Sequence, residues 1–340
     1  MSTEQVVELG RKDFESDQEL RWCPGCGDYG ILAAIQFLLP ELDVQPHEMV
    51  FVSGIGCAAR LPYYMNTYGV HSIHGRAPAI ATGVAMTRPD LHVWVIGGDG
   101  DMLSIGGNHL IHSLRRNVNL KILMFNNQIY GLTKGQYSPT SERGKITKST
   151  PFGSIDHPFN PISVALGAEA TFVARTHDLD RKHMQHVFRR AHEHRGAAFV
   201  EVYQNCNVFN DGAFEAITGK DNRADMLIPL VHGEPIRFGP EGEHGVVNHR
   251  DGSVEVVEVA DVGESALLVH DEHRENPGLA FQLSRLSRGP HEPTPIGVLR
   301  DVERPEYGAQ MAAQIEDATA RRGPGDLRAL LRSGSSWTVE

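Results

Sequence analysis

The stretch LHVWVIGGDGD, residues 91–101, decides the fold class of this chain. Its first six residues, 91–96, form an apolar run that predicts a buried strand, and glycines follow at once. The segment 102–116 is predicted to be a helix, and it ends in Arg115 and Arg116, two cations that suit a helix C-terminus. A glycine-rich loop between a buried strand and a helix is typical of an open α/β sheet, which binds its ligands at such loops.

The alternation of strand and helix continues on both sides of this stretch. Short apolar runs predict strands at 49–54, 120–125, 170–174 and 197–203, and helices are predicted at 76–87, 161–167 and 178–195. Such alternation predicts a doubly wound α/β fold, with a mostly parallel sheet covered by helices on both faces.

The composition of the sequence changes after about residue 210, where glycine, histidine and charged residues become frequent. A strand is predicted at 253–259, and helices are predicted at 275–287 and 308–321. We therefore divide the chain into a core, residues 1–215, and a C-terminal extension, residues 216–340. The extension is expected to pack on the core or on a partner subunit, and it shows no motif that indicates chemistry.

Composition excludes some classes of function. The formal charge of −11 argues against nucleic acid as a partner, because phosphate binding needs a basic surface. No apolar run reaches the roughly 18 residues that a membrane span requires. The polar N-terminus, residues 1–20, has no basic and apolar segments of the secretory type, so a cytoplasmic protein with reduced thiols is expected.

Two strand ends carry residues that suit a diphosphate bound through a metal ion. Asp99 follows one strand in GGDGD, and Asn127 follows the next strand in NNQIYG. A helix N-terminus attracts phosphate, and a carboxylate at the same place would repel it. Asp99 therefore suits a phosphate site only if a cation lies between the carboxylate and the phosphate. A carboxylate, an amide oxygen and a nearby carbonyl, together with two phosphate oxygens and one water, would satisfy Mg²⁺. The alternative is that both stretches are ordinary turns. Asp101 is interpreted as a helix cap.

The chain has four cysteines, and the sequence leaves their role open. Cys23 and Cys26 form a CxxC pair in WCPGCGDYG, residues 22–30, whereas Cys57 and Cys206 stand alone. A small zinc module usually has two such pairs. Buried structural thiols would fit apolar strands, but both single cysteines lie in predicted loops after strands. Four thiolates are also the number that holds a [4Fe–4S] cluster.

The motifs together resemble a known family. GDG followed by NN is similar to the signature of thiamine diphosphate enzymes. WCPGCG, SGIGCAARLPYY, HSIHGRAPAIATG, GGDGDMLSIGGNH and NNQIYGLTKGQYSPT occur in the order found in β-subunits of 2-oxoacid:ferredoxin oxidoreductases, and the similarity covers about residues 15–210. The resemblance implies the thiamine diphosphate-binding fold. It also implies that Asp99, Asn127 and the carbonyl of Ile129 hold Mg²⁺. All four cysteines would bind one [4Fe–4S] cluster.

The resemblance also implies a set of residues around the cofactors. The residues expected to contact them are Ile55, Gly56, Cys57, Arg60, His74, Gly98, Asp99, Gly100, Asp101, Asn127, Ile129, Gly131 and Leu132. Candidate catalytic residues are His74, at the diphosphate or the reacting carboxylate, Arg60, at the substrate carboxylate, and Lys134, at a second carboxylate such as that of 2-oxoglutarate. The alternatives are that His74 is a structural histidine, that Arg60 forms a surface ion pair and that Lys134 is a solvated loop lysine.

The function implied is CoA-dependent oxidative decarboxylation of 2-oxoglutarate to succinyl-CoA and CO₂, with reduction of ferredoxin, in a reaction that can be reversible. The sequence contains one diphosphate-type unit, so an α-subunit is expected to complete the thiamine site and to carry most of the CoA site, in a dimer of αβ heterodimers. Pyruvate and branched 2-oxoacids are alternative substrates. A non-redox thiamine diphosphate decarboxylase or synthase and a non-catalytic cluster-binding subunit are alternative functions.

Overall fold

The computed structural model describes residues 9–287 and 292–339, and its centre is one large sheet. Within these residues the sheet has eight strands in the order β2–β1–β3–β4–β6–β5–β11–β7. The strands of this sheet are β1 (Met49–Ser53), β2 (Tyr68–His71), β3 (His92–Gly98), β4 (Lys121–Asn126), β5 (Phe172–His177), β6 (Ala198–Tyr203), β7 (Leu227–Leu230) and β11 (Thr294–Asp301). The first six in chain order pair in parallel, which confirms the predicted mostly parallel sheet.

A smaller antiparallel sheet and a set of helices complete the described part of the chain. The small sheet contains β8 (Arg237–Phe238), β9 (His244–Asn248) and β10 (Val254–Glu258). The α-helices are α1 (Asp28–Leu38), α2 (Ala77–Thr87), α3 (Asp99–Leu103), α4 (Gly107–Arg115), α5 (Pro161–Gly167), α6 (Arg181–Glu193), α7 (Glu215–Thr218), α8 (Arg223–Met226), α9 (Val259–Val262), α10 (Gly278–Ser284), α11 (Tyr307–Arg322) and α12 (Leu327–Leu331). Among the described helices, none combines the length and the apolar character needed to cross a lipid bilayer.

Helices cover both faces of the large sheet, because successive side chains of a strand point to opposite sides. In β3, Val93 and Val95 belong to the core under α2, α4 and α5. Trp94 and Ile96 belong to the second core, under α1 and α6. Strands buried on both faces read as continuous apolar runs, and this is why they were visible in the sequence.

One predicted helix is wrong in its extent. The segment 102–116 is not continuous, since α3 ends at Leu103 and α4 begins at Gly107. Gly106 lies in the break, where an added Cβ would be 2.3 Å from the carbonyl oxygen of Asp101. The loop at Gly75 also packs against the break, since a Cβ added at Gly75 would lie 2.6 Å from the backbone nitrogen of Gly106. The other predicted helices and strands are observed with small shifts of their ends.

The C-terminal extension is more closely joined to the core than the sequence indicated. It adds β7 and β11 to the large sheet. β11 pairs antiparallel with β5 and parallel with β7. The boundary drawn at residues 215 and 216 therefore does not separate two independent sheets. The final helices, α11 and α12, have no buried side chain.

Candidate active site

A large cavity lies at the carboxyl ends of β1, β2, β3 and β4, where an open α/β sheet binds its ligands. Its volume is about 1030 Å³. Of the predicted cofactor-binding residues, it is lined by Ile55, Gly56, Cys57, His74, Gly98, Asp99, Gly100, Asp101, Asn127, Ile129, Gly131 and Leu132. Arg60 is the predicted member that does not line it. The structure thus brings together residues from four separate strand ends.

Asp99 is buried at the base of this cavity, at the first position of α3. Its Oδ2 accepts hydrogen bonds from the hydroxyl groups of Ser138 and Thr140. Burial raises the pKa of the carboxyl group to about 6, although these hydrogen bonds act in the opposite direction. A buried carboxylate that lacks a cation partner is costly, so Asp99 is suited to meet a positive ion in the cavity.

Asn127 lies on the loop after β4, the strand next to β3, and its side chain is hydrogen-bonded on two sides. Its amide nitrogen donates a 2.7 Å hydrogen bond to Oε1 of Gln204, and its amide oxygen accepts from the backbone N–H of Ile129 at 3.2 Å. The amide orientation therefore places the oxygen toward the Ile129 turn. Asp99, Asn127 and Ile129 line the same cavity, and carboxylate, amide and carbonyl oxygens are hard ligands of the kind that Mg²⁺ prefers.

Asp101 has a different role from the helix cap predicted for it. It lies inside α3, whose N-cap is Gly98. Its Oδ1 accepts hydrogen bonds from the backbone N–H groups of Ile55 and Gly75, at 3.2 and 2.8 Å, and contacts Nδ1 of His74 at 2.6 Å. Asp101 therefore links the loops after β1 and β2 and orients the His74 ring toward the cavity.

Replacing Asp101 with alanine is expected to loosen both loops. The change leaves the N–H groups of Ile55 and Gly75 without their acceptor, and each buried unsatisfied donor costs about 1–3 kcal/mol. The free energy of unfolding should therefore fall by roughly 2–4 kcal/mol in denaturant titrations. Asp90→Ala is a suitable control, because Asp90 is exposed and pairs with Arg88 on the surface. Equal stability of the two variants would contradict the linking role of Asp101.

All four cysteines line a second, smaller cavity beside the first. Its volume is about 180 Å³. In the described part of the chain all four thiols are free. The cavity is lined by Arg21, Trp22, Cys23, Cys26, Cys57, Arg60, Asn127, Gly131, Leu132, Lys134, Gln204, Cys206, Asn207 and Phe209. The two cysteines that stood alone in the sequence thus lie with the CxxC pair, as the resemblance implied.

Hydrogen bonds hold the three cysteine loops together. Trp22 Nε1 donates to the carbonyl oxygen of Cys57 at 2.8 Å, and Asn207 Nδ2 donates to the carbonyl oxygen of Pro24 at 2.6 Å. Gly131 lines the cavity, and a Cβ added there would lie 3.6 Å from Sγ of Cys57 and 3.5 Å from Sγ of Cys206. A side chain at position 131 would therefore occupy space between two sulfurs.

Cys23 is exposed, and the thiols of Cys26, Cys57 and Cys206 are partly buried. Burial, and next the charge of Asp28, raise the pKa of Cys57 to about 12, and burial is also the main cause of the raised pKa of Cys26. Gln204 Nε2 donates to the sulfur of Cys26 at 3.2 Å. Thiolates in such a place need a bound metal to stabilise them, which fits a cluster better than a set of inert core thiols.

Arg60 and Lys134 lie beside the cysteines and not in the large cavity. Arg60 Nε donates to the hydroxyl group of Tyr64 at 3.3 Å. Lys134 is exposed, and its backbone has a positive φ of 74° in the loop that follows Ile129. Within residues 9–287 and 292–339 its ammonium group has no hydrogen-bond or ion-pair partner. Both cations therefore line the cysteine cavity, and Leu132, near Lys134 in sequence, lines both cavities.

Comparison with known proteins identifies the fold and the family. The family model described as "Thiamine pyrophosphate enzyme, C-terminal TPP binding domain" matches residues 49–202. A curated relative, the 2-oxoglutarate oxidoreductase subunit KorB of Mycobacterium tuberculosis, is 57% identical over 97% of this chain and 88% of its own length. This chain belongs to the family of 2-oxoacid:ferredoxin oxidoreductase β-subunits. The resemblance seen in the five motifs is confirmed.

Two further relatives agree with this family membership. The β-subunit of 2-oxoacid:ferredoxin oxidoreductase 1 from Aeropyrum pernix is 47% identical over 61% of this chain and 65% of its own length. A solved structure of 2-oxoglutarate:ferredoxin oxidoreductase from Magnetococcus marinus, with 2-oxoglutarate, coenzyme A and succinyl-CoA bound, has a TM-score of 0.76 and 32% identity, covering 98% of both chains. The thiamine diphosphate-binding fold is therefore confirmed, and a β-subunit implies a partner subunit.

Four supporting residues of this β-subunit escaped sequence reasoning. Ser138 and Thr140 bond Asp99 from 39 and 41 positions away, and Gln204 bonds both Asn127 and Cys26. Asp28 is fully buried beside the CxxC pair. Ser, Thr and Gln are common in loops, so the only signal in the sequence was their presence in YSPTS and YQNC, next to motifs already identified.

Proposed function

We propose that this β-subunit catalyses the CoA-dependent oxidative decarboxylation of 2-oxoglutarate to succinyl-CoA and CO₂, with ferredoxin as the electron acceptor. The observation that carries the proposal is that the two cavities share a wall. Cys57, Asn127, Gly131 and Leu132 line both the large cavity and the cysteine cavity. Electrons released in the first would therefore have only a short distance to travel to the second. The substrate is inferred from the relatives that are named for it.

The residues of the large cavity would hold thiamine diphosphate through Mg²⁺. Asp99, Asn127 and the carbonyl of Ile129 supply three oxygen ligands, and the N-terminus of α3 at Gly98 adds N–H groups that suit the diphosphate. When bound, thiamine diphosphate supplies the electron sink that decarboxylation of a 2-oxoacid needs. Asp101 keeps His74 turned toward the same cavity, where the ring can hold a proton or a hydrogen bond near the reacting group.

The residues of the cysteine cavity would hold a [4Fe–4S] cluster. Cys23, Cys26, Cys57 and Cys206 supply four sulfur ligands from three loops, which is the number that such a cluster requires. The N–H group of Gln204 at the sulfur of Cys26 is a contact of the kind that tunes a cluster's reduction potential. A reducing compartment such as the cytoplasm fits this assignment, because thiols stay available as ligands there.

A partner α-subunit would complete the site. The large cavity opens to the surface, and several apolar side chains of its neighbouring loops are exposed, including Ile73, Ile105, Phe152 and Ile155. A lid from another chain would cover these side chains, contribute the remainder of the thiamine site and carry most of the CoA site. The assembly proposed is a dimer of αβ heterodimers, with ferredoxin docking near the cysteine cavity.

The proposed reaction is tested with the complex of both subunits, purified without oxygen. Viologen reduction is measured with 2-oxoglutarate, pyruvate and a branched 2-oxoacid, each with and without CoA. The proposal expects the highest kcat/KM for 2-oxoglutarate and a requirement for CoA. CO₂ release without viologen reduction would favour a non-redox decarboxylase instead, and failure to turn over any 2-oxoacid would favour a non-catalytic subunit.

Lys134 provides a test of substrate choice. 2-Oxoglutarate carries a distal carboxylate that pyruvate lacks, and the exposed ammonium group of Lys134 has no described partner of its own. We propose that it pairs with that carboxylate. Lys134→Ala should raise the KM for 2-oxoglutarate up to roughly five-fold and spare pyruvate, since an exposed charge pair is worth up to about 1 kcal/mol.

The control for this change is Lys182→Ala, which removes an exposed lysine from α6. It should leave the KM for every substrate unchanged. If Lys134→Ala lowers activity on all 2-oxoacids equally, the lysine acts on the part that they share. If it changes none of them, specificity for 2-oxoglutarate lies in the partner chain.

A further inference from the structure

A cluster of metal-binding side chains lies in the C-terminal extension, apart from both cavities described above. It consists of His232, on the loop after β7, and of Glu272 and His273, on the segment that precedes α10. One ligand atom from each of the three residues lies within 4.8 Å of the other two. We propose that these three side chains bind a divalent first-row transition metal ion, with Zn²⁺ as the representative.

The hydrogen bonds of His273 prepare it to bind a metal. Its Nδ1 lies 2.6 Å from the carbonyl oxygen of Asp301. A carbonyl oxygen can only accept a hydrogen bond, so Nδ1 carries the proton and Nε2 keeps its lone pair. That Nε2 is the atom that faces Glu272, with Oε1 at 3.6 Å. Metal-binding histidines in proteins are oriented in this way by a carbonyl or carboxylate on the other ring nitrogen.

Glu272 is fixed in a similar manner. Its side chain is buried, and Oε1 accepts a 2.8 Å hydrogen bond from Arg190, which also bonds Asp301 at 2.8 Å. A carboxylate has lone pairs on both oxygens, so the bond to Arg190 leaves others available to a metal ion. The arginine therefore acts as an outer partner that orients the ligand.

The backbone that carries the three ligands is also held in place. Gly233 N–H donates to the carbonyl of His270 at 2.8 Å, and His270 N–H donates to the carbonyl of Glu234 at 2.9 Å. A further bond of 2.7 Å joins Asp301 N–H to the carbonyl of Glu272. The rings of His232 and His273 consequently lie 4.6 Å apart between their centres. Each ligand is therefore presented from a segment that is bonded to its neighbour.

The distances and chemistry favour a transition metal over Mg²⁺ or Ca²⁺. Ligand atoms around tetrahedral zinc lie about 3.4 Å apart, given metal–ligand distances near 2.1 Å. The 3.6 Å between His273 Nε2 and Glu272 Oε1 matches this value, and small rotations bring His232 into place. Two imidazoles and one carboxylate suit zinc and its neighbours, whereas Mg²⁺ and Ca²⁺ prefer oxygen ligands alone.

The metal site lies at the opposite edge of the sheet from the cofactor cavity. Asp301 pairs with Phe172, the first residue of β5, whereas the cofactor loops follow the last residues of parallel strands. The ion would join the loop after β7 to the segment before α10, and so stabilise the extension itself. Removing its ligands should therefore leave oxidation of 2-oxoacids unchanged.

The test compares two double variants of the complex. His232→Ala/His273→Ala removes two ligands, both of which are about half exposed. His47→Ala/His249→Ala removes two other exposed histidines and serves as the matched control. Each protein is titrated calorimetrically with ZnCl₂ and, separately, with MgCl₂, and its melting temperature is measured at each metal concentration. Iron content is measured afterwards, to verify that zinc has not entered the cysteine cavity.

The wild-type complex and the control should bind one Zn²⁺ per β-subunit that the ligand variant does not bind. Zinc should raise their melting temperature and not that of the ligand variant, and MgCl₂ should have no such effect. Equal zinc binding by both double variants, or none by the wild type, would show that these side chains form only an ion-pair cluster. If the ligand variant fails to assemble, His273→Ala alone replaces it, with an expected loss of affinity of roughly ten-fold or more.

Discussion

Asp99→Ala is expected to abolish binding of thiamine diphosphate and Mg²⁺ by the complex of both subunits. Asp99 is the one carboxylate among the three protein ligands assigned to the ion, and it is buried at the base of the cavity. Without it the diphosphate lacks the cation that joins it to the protein. The measurement is the content of both cofactors in the purified complex, followed by titration of the unloaded complex. Thiamine diphosphate at wild-type stoichiometry in the variant would overturn the assignment.

Loss of cofactor in Asp99→Ala is not expected to result from unfolding. The pKa of Asp99 is raised to about 6, so the folded chain without cofactor binds a proton more tightly than the unfolded chain, and stability declines as pH rises from about 4 to 6. At pH 7 the alanine variant has no buried carboxylate to ionise, so it does not lose this stability. Ser138 and Thr140 keep other partners, since their hydroxyl groups lie 3.2 Å apart and Thr140 also bonds Asn126 at 2.9 Å. The melting temperature of the unloaded variant should therefore not fall below that of the unloaded wild type.

Cys57→Ser is expected to cause a large loss of iron and of electron transfer, because this residue lines both cavities. Serine is a poor ligand for iron, so the variant should lose most of its iron and the brown absorption near 400 nm. Reduction of viologen and ferredoxin should fall with the iron, while thiamine diphosphate remains bound. Cys23→Ser, Cys26→Ser and Cys206→Ser should behave in the same way.

The control for the cysteine variants is Val208→Ser, which places the same residue on the loop of Cys206 at an exposed position. It should keep its iron and its activity. Four iron atoms per chain and full activity in Cys206→Ser would mean that the fourth ligand lies elsewhere. Normal iron but lost activity would mean that the cysteines act on the substrate and not on a cluster.

Much of the site could be predicted because its residues belong to local patterns. Asp99 and Asn127 each follow an apolar run directly, and parallel strands place their carboxyl ends at one edge of the sheet. A residue that the sequence places on the loop after a strand is therefore expected to lie at the cavity. The same reasoning placed Cys57 and Cys206 in loops at that edge, and the structure brings them to the CxxC pair.

Some expectations failed because the sequence does not show what approaches from elsewhere in the chain. Asp101 was interpreted as a helix cap from its position alone, whereas its acceptor oxygen meets N–H groups from two distant loops. The helix predicted over 102–116 is interrupted because the loop at Gly75 packs against Gly106. Neither contact has a signature in the sequence around 101–106.

The sequence by itself determined the fold class and indicated the family, and it predicted most of the residues that line the two cavities, because apolar runs, strand-end glycines and short motifs are local properties of the chain. Only the tertiary structure decided that β7 and β11 extend the main sheet, that Ser138 and Thr140 hold Asp99, and that His232 meets His273. These contacts join residues that are 39 or more positions apart. Such pairs depend on how whole helices and strands pack, and no short stretch of sequence determines the free energy that favours them.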